Sequence, residues 1–555
     1  MSTVWEIKES PSGFTESSAL PYSQLMQKIL HLRGYQNETE IQKLLFPSLD
    51  NLYNPFLMKG IERSSKRILS AIAKNETILI HGDYDVDGIT GAAVLSRVLR
   101  KLNANFITFL PNRKKDGYGV SLDAVHLANE KKVSLFITVD CGITAFEQAK
   151  AARDYGIDVI IIDHHRIHNG EVPEVFEIIN PLQESCTYPF KELSACGLTF
   201  KLAQALLGKG AYELLDLVAL SCVCDVAPLI DENRILIYYG LERLGKRGQA
   251  GFKNLCEVAG LKRQKLSTSD IGFILGPRIN ASGRMSSADR ALRLLTTDNS
   301  EEANELAKSL ELENKARQQE ERALLKEALQ KVEREINFNR DRVIVIFSDG
   351  WHEGVIGIVA QRLVEYFGRP SVVIAVDGER GKGSGRSLKG FHLFNAFQHC
   401  EEHLEQFGGH ELAAGLTIHR DQLQLFREKM NEYAKTISVE AFLKSIRVDF
   451  EISFADLTPR FLRELSLLEP FGAGNPKPVF LTRNIRTKRE PEKISSNSFR
   501  WWVTDGAMTF EAVWRSRGAA IAFPETEPYT IVYSPKLKTW DGVDSLTLEV
   551  KDVKA

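Results

Sequence analysis

From residue 77 to residue 165, short runs of unbroken apolar residues alternate with segments whose apolar positions recur every three or four residues. "TILIHGD", "NFITFLPNR", "SLFITVDCG" and "DVIIIDHH" predict strands; "ITGAAVLSRVLRKL", "SLDAVHLANEK" and the stretch from Thr144 to Tyr155 predict helices. Continuously apolar strands separated by helices predict a parallel sheet covered on both faces. From about 300 to 336 the chain lacks Gly and Pro, and Leu306, Leu310, Leu325, Leu329, Val332 and Ile336 form a helical stripe. That pattern predicts one long solvated helix bridging two domains. "RVIVIFSDG" and "SVVIAVDG" then begin a second, smaller α/β unit, and alternating segments from "RVDFEISF" to "SLTLEVKDV" predict a small β-barrel or sandwich.

These patterns divide the chain into an N-terminal helical segment (1–45) and a first α/β domain (46–245). A helical region (246–338) carrying a substrate loop and the connecting helix follows. The second α/β domain (339–440) and the C-terminal β domain (441–555) complete the chain. A length of 555 residues suits this many domains. The 43% hydrophobic and 26% charged content is that of a globular chain with a sizeable core. No apolar stretch approaches a membrane span, and "MSTVWEIKES" lacks the basic-then-apolar order of a secretory signal. Seven cysteines without a CxxC pair, two of them (Cys222 and Cys224) in an apolar run, suit a reducing, cytoplasmic setting. A net charge of -2 does not decide for or against a nucleic-acid partner, because acidic metal ligands would mask a basic groove in the total.

The local distribution is more informative. Asp83, Asp85 and Asp87, then Asp140, then Asp163, His164 and His165 each lie just past the C-terminal end of a predicted strand, the first of which carries His81. That edge of an open α/β sheet is where ligands bind. Strand-end aspartates also serve as turn formers and helix caps, but two adjacent histidines cannot both face one packed layer. Asp225 follows the apolar run "LLDLVALSCVC", where a carboxylate is costly unless paired or bound to metal. Carboxylates with imidazoles and no thiolates suit Mn²⁺ or Mg²⁺. Two ions sharing a carboxylate would offset the crowded negative charge and clamp a displacement at phosphorus.

HGDYDVDG, VDCG, DHH and CDVAPL, in this order, closely resemble the DHH phosphoesterases. "GPRINASGRM", "HEGVIGIVA", "GKGSGRS" and "GGHELAAG" extend the resemblance, from about residue 45 to the C-terminus, to the branch of bacterial single-stranded-DNA-specific exonucleases. It implies a DHH domain, a smaller DHH-associated domain and a C-terminal OB-fold. It implies that His81, Asp85, Asp87, Asp140, His164 and Asp225 hold two Mn²⁺ or Mg²⁺ ions, with Asp140 bridging. Asp83 would orient a ligand, and His165 would orient the scissile phosphate or assist the leaving oxygen.

Phosphate recognition needs guanidinium forks or clustered backbone N–H groups. Arg278, Asn280 and Arg284 lie among glycines in "GPRINASGRM", and Ser384, Arg386 and Ser387 lie in "GSGRS", read as a second glycine-rich loop. Arg113 stands beyond another strand, with Tyr118, His352 and His410 as supporting contacts. The C-terminal domain places Arg483, Arg486, Lys488, Arg489 and Lys493 near Phe499, Trp501, Trp502 and Trp514, followed by Tyr533, Lys536, Lys538 and Trp540. OB-folds hold single strands on such basic, aromatic surfaces, although large aromatics within strands, as Trp501 and Trp514 are, usually belong to the barrel core.

The resemblance implies 5′-to-3′ digestion of single-stranded DNA to mononucleotides by a monomer acting in recombination and repair. Its implied partners are a single-stranded-DNA-binding protein and a RecQ-type helicase. A phosphodiesterase of short oligonucleotides or cyclic dinucleotides is the rival within the superfamily, and a non-catalytic scaffold the rival outside it.

Overall fold

A computed structural model describes residues 3–9, 20–111, 117, 119–263, 265–285, 287–495, 498–515, 523, 528–540 and 543–555. The chain forms two compact units: residues 38–316 with 467–476, and residues 1–37 with 317–466 and 477–555. The first strand, β1 (Val4–Ile7), belongs to the second of these.

The first unit holds β2 (Thr77–Gly82), β3 (Phe106–Phe109), β4 (Val133–Val139), β5 (Asp158–Ile162) and β6 (Glu177–Ile179), all parallel in the order β3-β2-β4-β5-β6. Successive residues of each strand feed opposite faces. Ile78, Ile80, Ile137, Ile160 and Ile162 pack under helices Val86–Lys101, Ala195–Leu207 and Leu215–Cys224. Leu79, Phe136, Val159 and Ile161 pack on the other side with Val125, Ala128 and Ala152. Burial on both faces is why these strands show no polar alternation. Residues 467–476 join this unit through Arg234, a buried guanidinium that donates to the carbonyls of Leu44, Leu467, Leu468 and Glu469.

The second unit holds β7 (Ile344–Asp349), β8 (Ser371–Asp377), β9 (Arg380–Arg386), β10 (Gln406–Gly409) and β11 (Ala413–His419), in the order β10-β11-β9-β8-β7. Only β7 and β8 are parallel. Strand β12 (Ser445–Val448) pairs in parallel with β1. The C-terminal strands are β13 (Phe450–Glu451), β14 (Phe480–Ser495), β15 (Ser498–Thr504), β16 (Thr509–Arg515), β17 (Tyr529–Trp540) and β18 (Val543–Lys554). They run β14-β15-β16-β18-β17 and close through β14–β17, a five-stranded barrel with β13 appended. Trp501 is 1% exposed and its Nε1 donates to the Tyr529 hydroxyl, so it is a core residue; Trp502, its neighbour in sequence, is 40% exposed.

Three expectations change. The first 45 residues are not simply helical, since they begin with β1, and Trp5 Nε1 donates to Asp552 of the barrel. "GPRINASGRM" is the helix Gly276–Met285 rather than a substrate loop, and "GSGRS" lies on β9 rather than in a loop. The β9 glycines are packing residues: a Cβ at Gly383 would lie 2.7 Å from Leu416, and one at Gly385 2.7 Å from Leu393. The long helix, Ser300–Glu335, is solvated on one side only. Leu306 and Leu310 enter the core of the first unit, and Leu324, Ala328 and Val332 that of the second.

Candidate metal centre

The parallel register aligns the strand ends. Gly82 pairs with Val139, Val139 with Ile162, and Ile162 with Ile179. One residue further on, the ladder continues into the site. Asp83 N donates to Val139 O (3.2 Å), Asp140 N to Ile162 O (2.9 Å), and Asp163 N to Ile179 O (3.2 Å). Three aspartates from sequence-distant strands therefore stand in one row at the C-terminal edge, as the ligand-edge rule expects. Asp140 takes a left-handed φ of 65°, which aspartate tolerates better than most residues.

Two further carboxylates come from the helix behind the row. Asp85 is the N-cap of helix Val86–Lys101 and accepts the N–H groups of Asp87 (2.9 Å) and Gly88 (3.2 Å). Asp87 is buried at the N-terminus of helix Ala195–Leu207, where it accepts Ala195 N (2.7 Å), Cys196 N (2.8 Å) and the Ser221 hydroxyl (2.6 Å). Asp225 closes the helix Leu215–Cys224. His164 reaches across them: its Nε2 is 3.3 Å from Asp140 and 3.8 Å from Asp87, and its Nδ1 is 3.9 Å from Asp225.

Potential ligand atoms converge in three overlapping groups: Asp83–Asp85–Asp140, Asp87–His164–Asp225 and Asp140–His164–His165. Asp140 and His164 are each shared by two. Asp83, expected to orient a ligand from outside, thus stands among the carboxylates that could hold an ion. His81 joins none of the groups, yet it is 0% exposed and its Nε2 has no hydrogen-bond partner.

The electrostatics show what the carboxylates lack. Burial, then Asp87, Asp85 and Asp83, pushes the Asp140 carboxyl well above its ordinary range. Burial and Asp87 raise Asp85. Burial, with Asp87 and Asp85, pushes Asp225 up to about 8. Burial alone pushes His81 down to about 4, so its ring is neutral. Mutually repelling buried carboxylates with His164, and a neutral His81 on the strand that leads into them, are donors suited to a hard or borderline cation, and the residues fit the implied metal. Cys141 does not compete as a ligand, because burial and the neighbouring carboxylates raise its thiol well above the usual value.

Sequence reasoning gave Asp163 no role of its own and passed over Asn180 and Ser221. Asp163 accepts the His165 ring at 2.6 Å. Asn180, the next residue of the edge row after β6, donates to His165 O at 3.0 Å, and the apolar run "FEIIN" ending in a polar residue was the clue. Ser221 holds Asp87 from within the otherwise apolar stretch 217–224, where an isolated hydroxyl marks a buried partner.

The expected phosphate contacts divide. Arg278 is committed to Glu311 (2.7 Å) and Ile274 O (2.6 Å). Asn280 accepts Val86 N at 3.2 Å and so braces the aspartate turn. Arg284 is half-buried near the end of the same helix. In the second unit Arg386 donates to Ser384 Oγ (3.0 Å) and Gly385 O (2.7 Å). The first turn of helix Ile356–Phe367 comes against both, since a Cβ on Gly357 would lie 2.9 Å from each side chain. Ala413 pairs with Arg386, which brings the exposed turn holding His410 to the same end of the sheet. His352 precedes that helix and accepts Gly354 N at 3.0 Å. Ser387 is buried and donates to Phe391 O at 2.7 Å. Arg113 and Tyr118 lie outside the described residues. On the barrel Arg483, Arg486, Lys488, Arg489 and Lys493 are exposed, and Arg489 pairs across the strands with Trp502. Tyr533 is buried in the barrel, and the side chains of Lys538 and Trp540 lie outside the described residues.

Comparison with known proteins agrees with this geometry. Residues 77–222 match the DHH family, N-terminal domain; residues 340–436 match the DHHA1 domain; residues 448–552 match the RecJ OB domain. The single-stranded-DNA-specific exonuclease RecJ of Bacillus subtilis is 40% identical over 89% of this chain, which spans 63% of that protein's length. The Escherichia coli protein of the same name is 34% identical over 82% of each chain. The crystal structure of RecJ from Thermus thermophilus in complex with Mn²⁺ superposes with a TM-score of 0.80 at 29% identity, covering 96% of this chain and 76% of that one. The chain belongs to the RecJ family of single-stranded-DNA-specific exonucleases, within the DHH superfamily.

Proposed function

We propose that this chain digests single-stranded DNA from the 5′ end and releases 5′-mononucleotides. The observation that carries the reading is the row Asp83–Asp140–Asp163, crossed by Asp85, Asp87, His164 and Asp225, in which carboxylates crowd together and burial with their mutual repulsion raises Asp85, Asp140 and Asp225. His81, Asp85, Asp87, Asp140, His164 and Asp225 would hold two Mn²⁺ or Mg²⁺ ions, with Asp83 beside them. When bound, such ions activate water and neutralise charge on the reacting phosphate.

The chain's own residues supply the rest. Asp163 holds His165 in its cationic form, with a pKa of about 9 even though burial opposes the charge. That imidazolium binds the scissile phosphate and gives its Nε2 proton to the departing 3′ oxygen as water adds at phosphorus. Ser384 and Arg386, with His352 and His410, take a phosphate of the strand, and Arg284 and Arg113 add charge along it. The exposed Trp502 beside Arg489 offers a base a stacking surface on the barrel. The domain boundaries, monomeric state and cytoplasmic setting expected above belong to the same reading. So do a single-stranded-DNA-binding protein and a RecQ-type helicase as partners, since each would present single strands to the enzyme.

Digestion of single-stranded DNA labelled at either the 5′ or the 3′ end, in Mn²⁺, tests the reading, with Asp140→Ala as control. Immediate release of a 5′-labelled mononucleotide, lost in the variant, supports it. Cleavage confined to two- to four-nucleotide substrates would replace it with the short-substrate phosphodiesterase.

A further inference from the structure

His81 is buried two residues before the first aspartate of the row with its Nε2 unpartnered, and the partner of its other nitrogen decides which nitrogen carries the proton. The ring is fixed in place, stacked on Phe109 (centroids 5.5 Å apart) with Phe136 edge-on (5.8 Å). Its Nδ1 lies 3.5 Å from Cys141 Sγ, and the same sulfur lies 3.6 Å from Val139 O. The turn that carries Cys141 is pinned by Thr138, whose hydroxyl donates to Cys141 O at 2.8 Å. Gly142 follows with a φ of 117°, and a Cβ there would lie 2.7 Å from the Thr138 hydroxyl. The motif VDCG thereby sets the sulfur's position as firmly as that of Asp140.

We propose that Cys141 is a positioning residue: its sulfur accepts the Nδ1–H of His81 while its own S–H donates to Val139 O, leaving His81 Nε2 unprotonated for a cation. A neutral imidazole carries one N–H, and only one placement uses both sulfur contacts. With the proton on Nδ1, the chain Nδ1–H···S–H···O=C is complete. With the proton on Nε2, the thiol must turn to Nδ1, its contact with Val139 O is lost, and a buried N–H is left without an acceptor. An orphaned buried donor is costly, since it loses its water without gaining a partner. The bare Nε2 of the first arrangement is also unpaired, but it is a lone pair that a metal ion satisfies. Histidine ligands are ordinarily held by a carboxylate or carbonyl on the second nitrogen; a thiol in that place serves without adding another acidic group to a crowded row.

The inference rests on the metal-centre reading of the proposed function, and its test does not need the nuclease reaction. Metal-free protein labelled with ¹⁵N-histidine reports the tautomer by NMR, with His81→Gln to identify the resonances. The expected result is a protonated Nδ1 and a bare Nε2 in the wild type, with a mixture of tautomers in Cys141→Ala. Mn²⁺ titration followed by electron paramagnetic resonance should show one site weakened about 10- to 100-fold in Cys141→Ala, and less in Cys141→Ser. A residue that only fills space would leave the tautomer unchanged. A wild-type Nε2–H tautomer overturns the proposal, as does Mn²⁺ affinity in Cys141→Ala within twofold of wild type. If Cys141→Ala does not fold, the wild-type tautomer decides alone. Failure of the exonuclease reading would appear instead as undigested DNA with both measurements intact.

Discussion

Nδ1 of His165 lies 2.6 Å from Oδ1 of Asp163, and the same oxygen accepts the His165 backbone N–H at 3.0 Å. The other oxygen of Asp163 accepts Ile143 N at 3.0 Å. Burial alone would raise the Asp163 carboxyl, but the His165 ring and these N–H donors hold it below its ordinary range. The last histidine of DHH is thereby clamped and charged by the residue that opens the motif.

Asp163→Asn should bring the His165 pKa down from about 9 toward or below its usual value. A raised histidine pKa contributes stability that is complete below the unfolded value and is lost as pH rises through the folded one. In metal-free protein the wild type should therefore exceed the variant by on the order of 2 kcal/mol at pH 6, discounted for the ring's partial exposure, and by less at pH 9.5. NMR titration of the ring checks this; a variant still titrating near 9 would refute it.

Metal affinity should rise with pH. Below about 8 the Asp225 carboxyl of the metal-free protein holds a proton, which a cation must displace. Affinity should fall about tenfold per pH unit for each proton displaced, with proton release visible by calorimetry in buffers of different ionisation enthalpy. The same raised pKa makes Asp225 a source of stability to the metal-free protein at low pH that is lost as pH rises through 8. Added Mn²⁺ should accordingly raise Tm more at pH 8 than at pH 6. A flat affinity between those values would show that the carboxylates are already ionised.

Gly283 tests the bracing of the aspartate turn. A Cβ there would lie 2.3 Å from Tyr84 O, a backbone atom that cannot move without carrying Asp83 and Asp85 with it. Gly283→Ala should cost about 1–3 kcal/mol in stability and lower kcat by roughly tenfold or more through misplaced ligands. Unchanged kcat in the folded variant would place the helix outside the site's geometry.

Arg234 tests how residues 467–476 are held. Its guanidinium donates to five backbone carbonyls, those of Leu44, Leu467, Leu468, Glu469 and Pro470, and Arg234 is 2% exposed. Arg234→Met should destabilise the first unit by about 3 kcal/mol or more, because the carbonyls lose charge-assisted donors. Proteolysis within 467–476 should quicken in parallel. If it does not, the segment is held by its other contacts.

The two adjacent tryptophans of β15 should behave oppositely. Trp502→Ala should weaken single-stranded-DNA binding by about 1–3 kcal/mol with Tm nearly unchanged. Trp501→Ala should cost about 3–5 kcal/mol of barrel stability. Equal effects on binding and melting at both positions would mean that β15 does not face the strand.

Most residues of the centre were legible in the sequence because they sit where an apolar run stops and a carboxylate or imidazole begins, at a strand end or, for Asp225, at a helix end. Asp83, Asp140 and Asp163 announce themselves that way, and parallel register makes such ends neighbours whatever their separation along the chain. The split of the long helix was hidden, because a stripe such as Leu306 to Ile336 shows that one side is buried without showing against what. The glycines of β9 misled for a related reason: glycine permits a loop or a close approach, and only the side chains opposite, Leu416 and Leu393, show which of these it serves.

The sequence by itself determined the alternation of strands and helices and the stock of carboxylates and imidazoles, because both are properties of local pattern and residue type. Tertiary structure alone decided that Arg278 is spent on Glu311, that Asn280 braces the turn at Val86, and that Cys141 meets His81. Those pairings join residues 33, 194 and 60 positions apart, set by which packed surfaces meet. No local preference encodes them. They decide which groups around the carboxylate row are already spent within the chain and which, like the buried Nε2 of His81, are not.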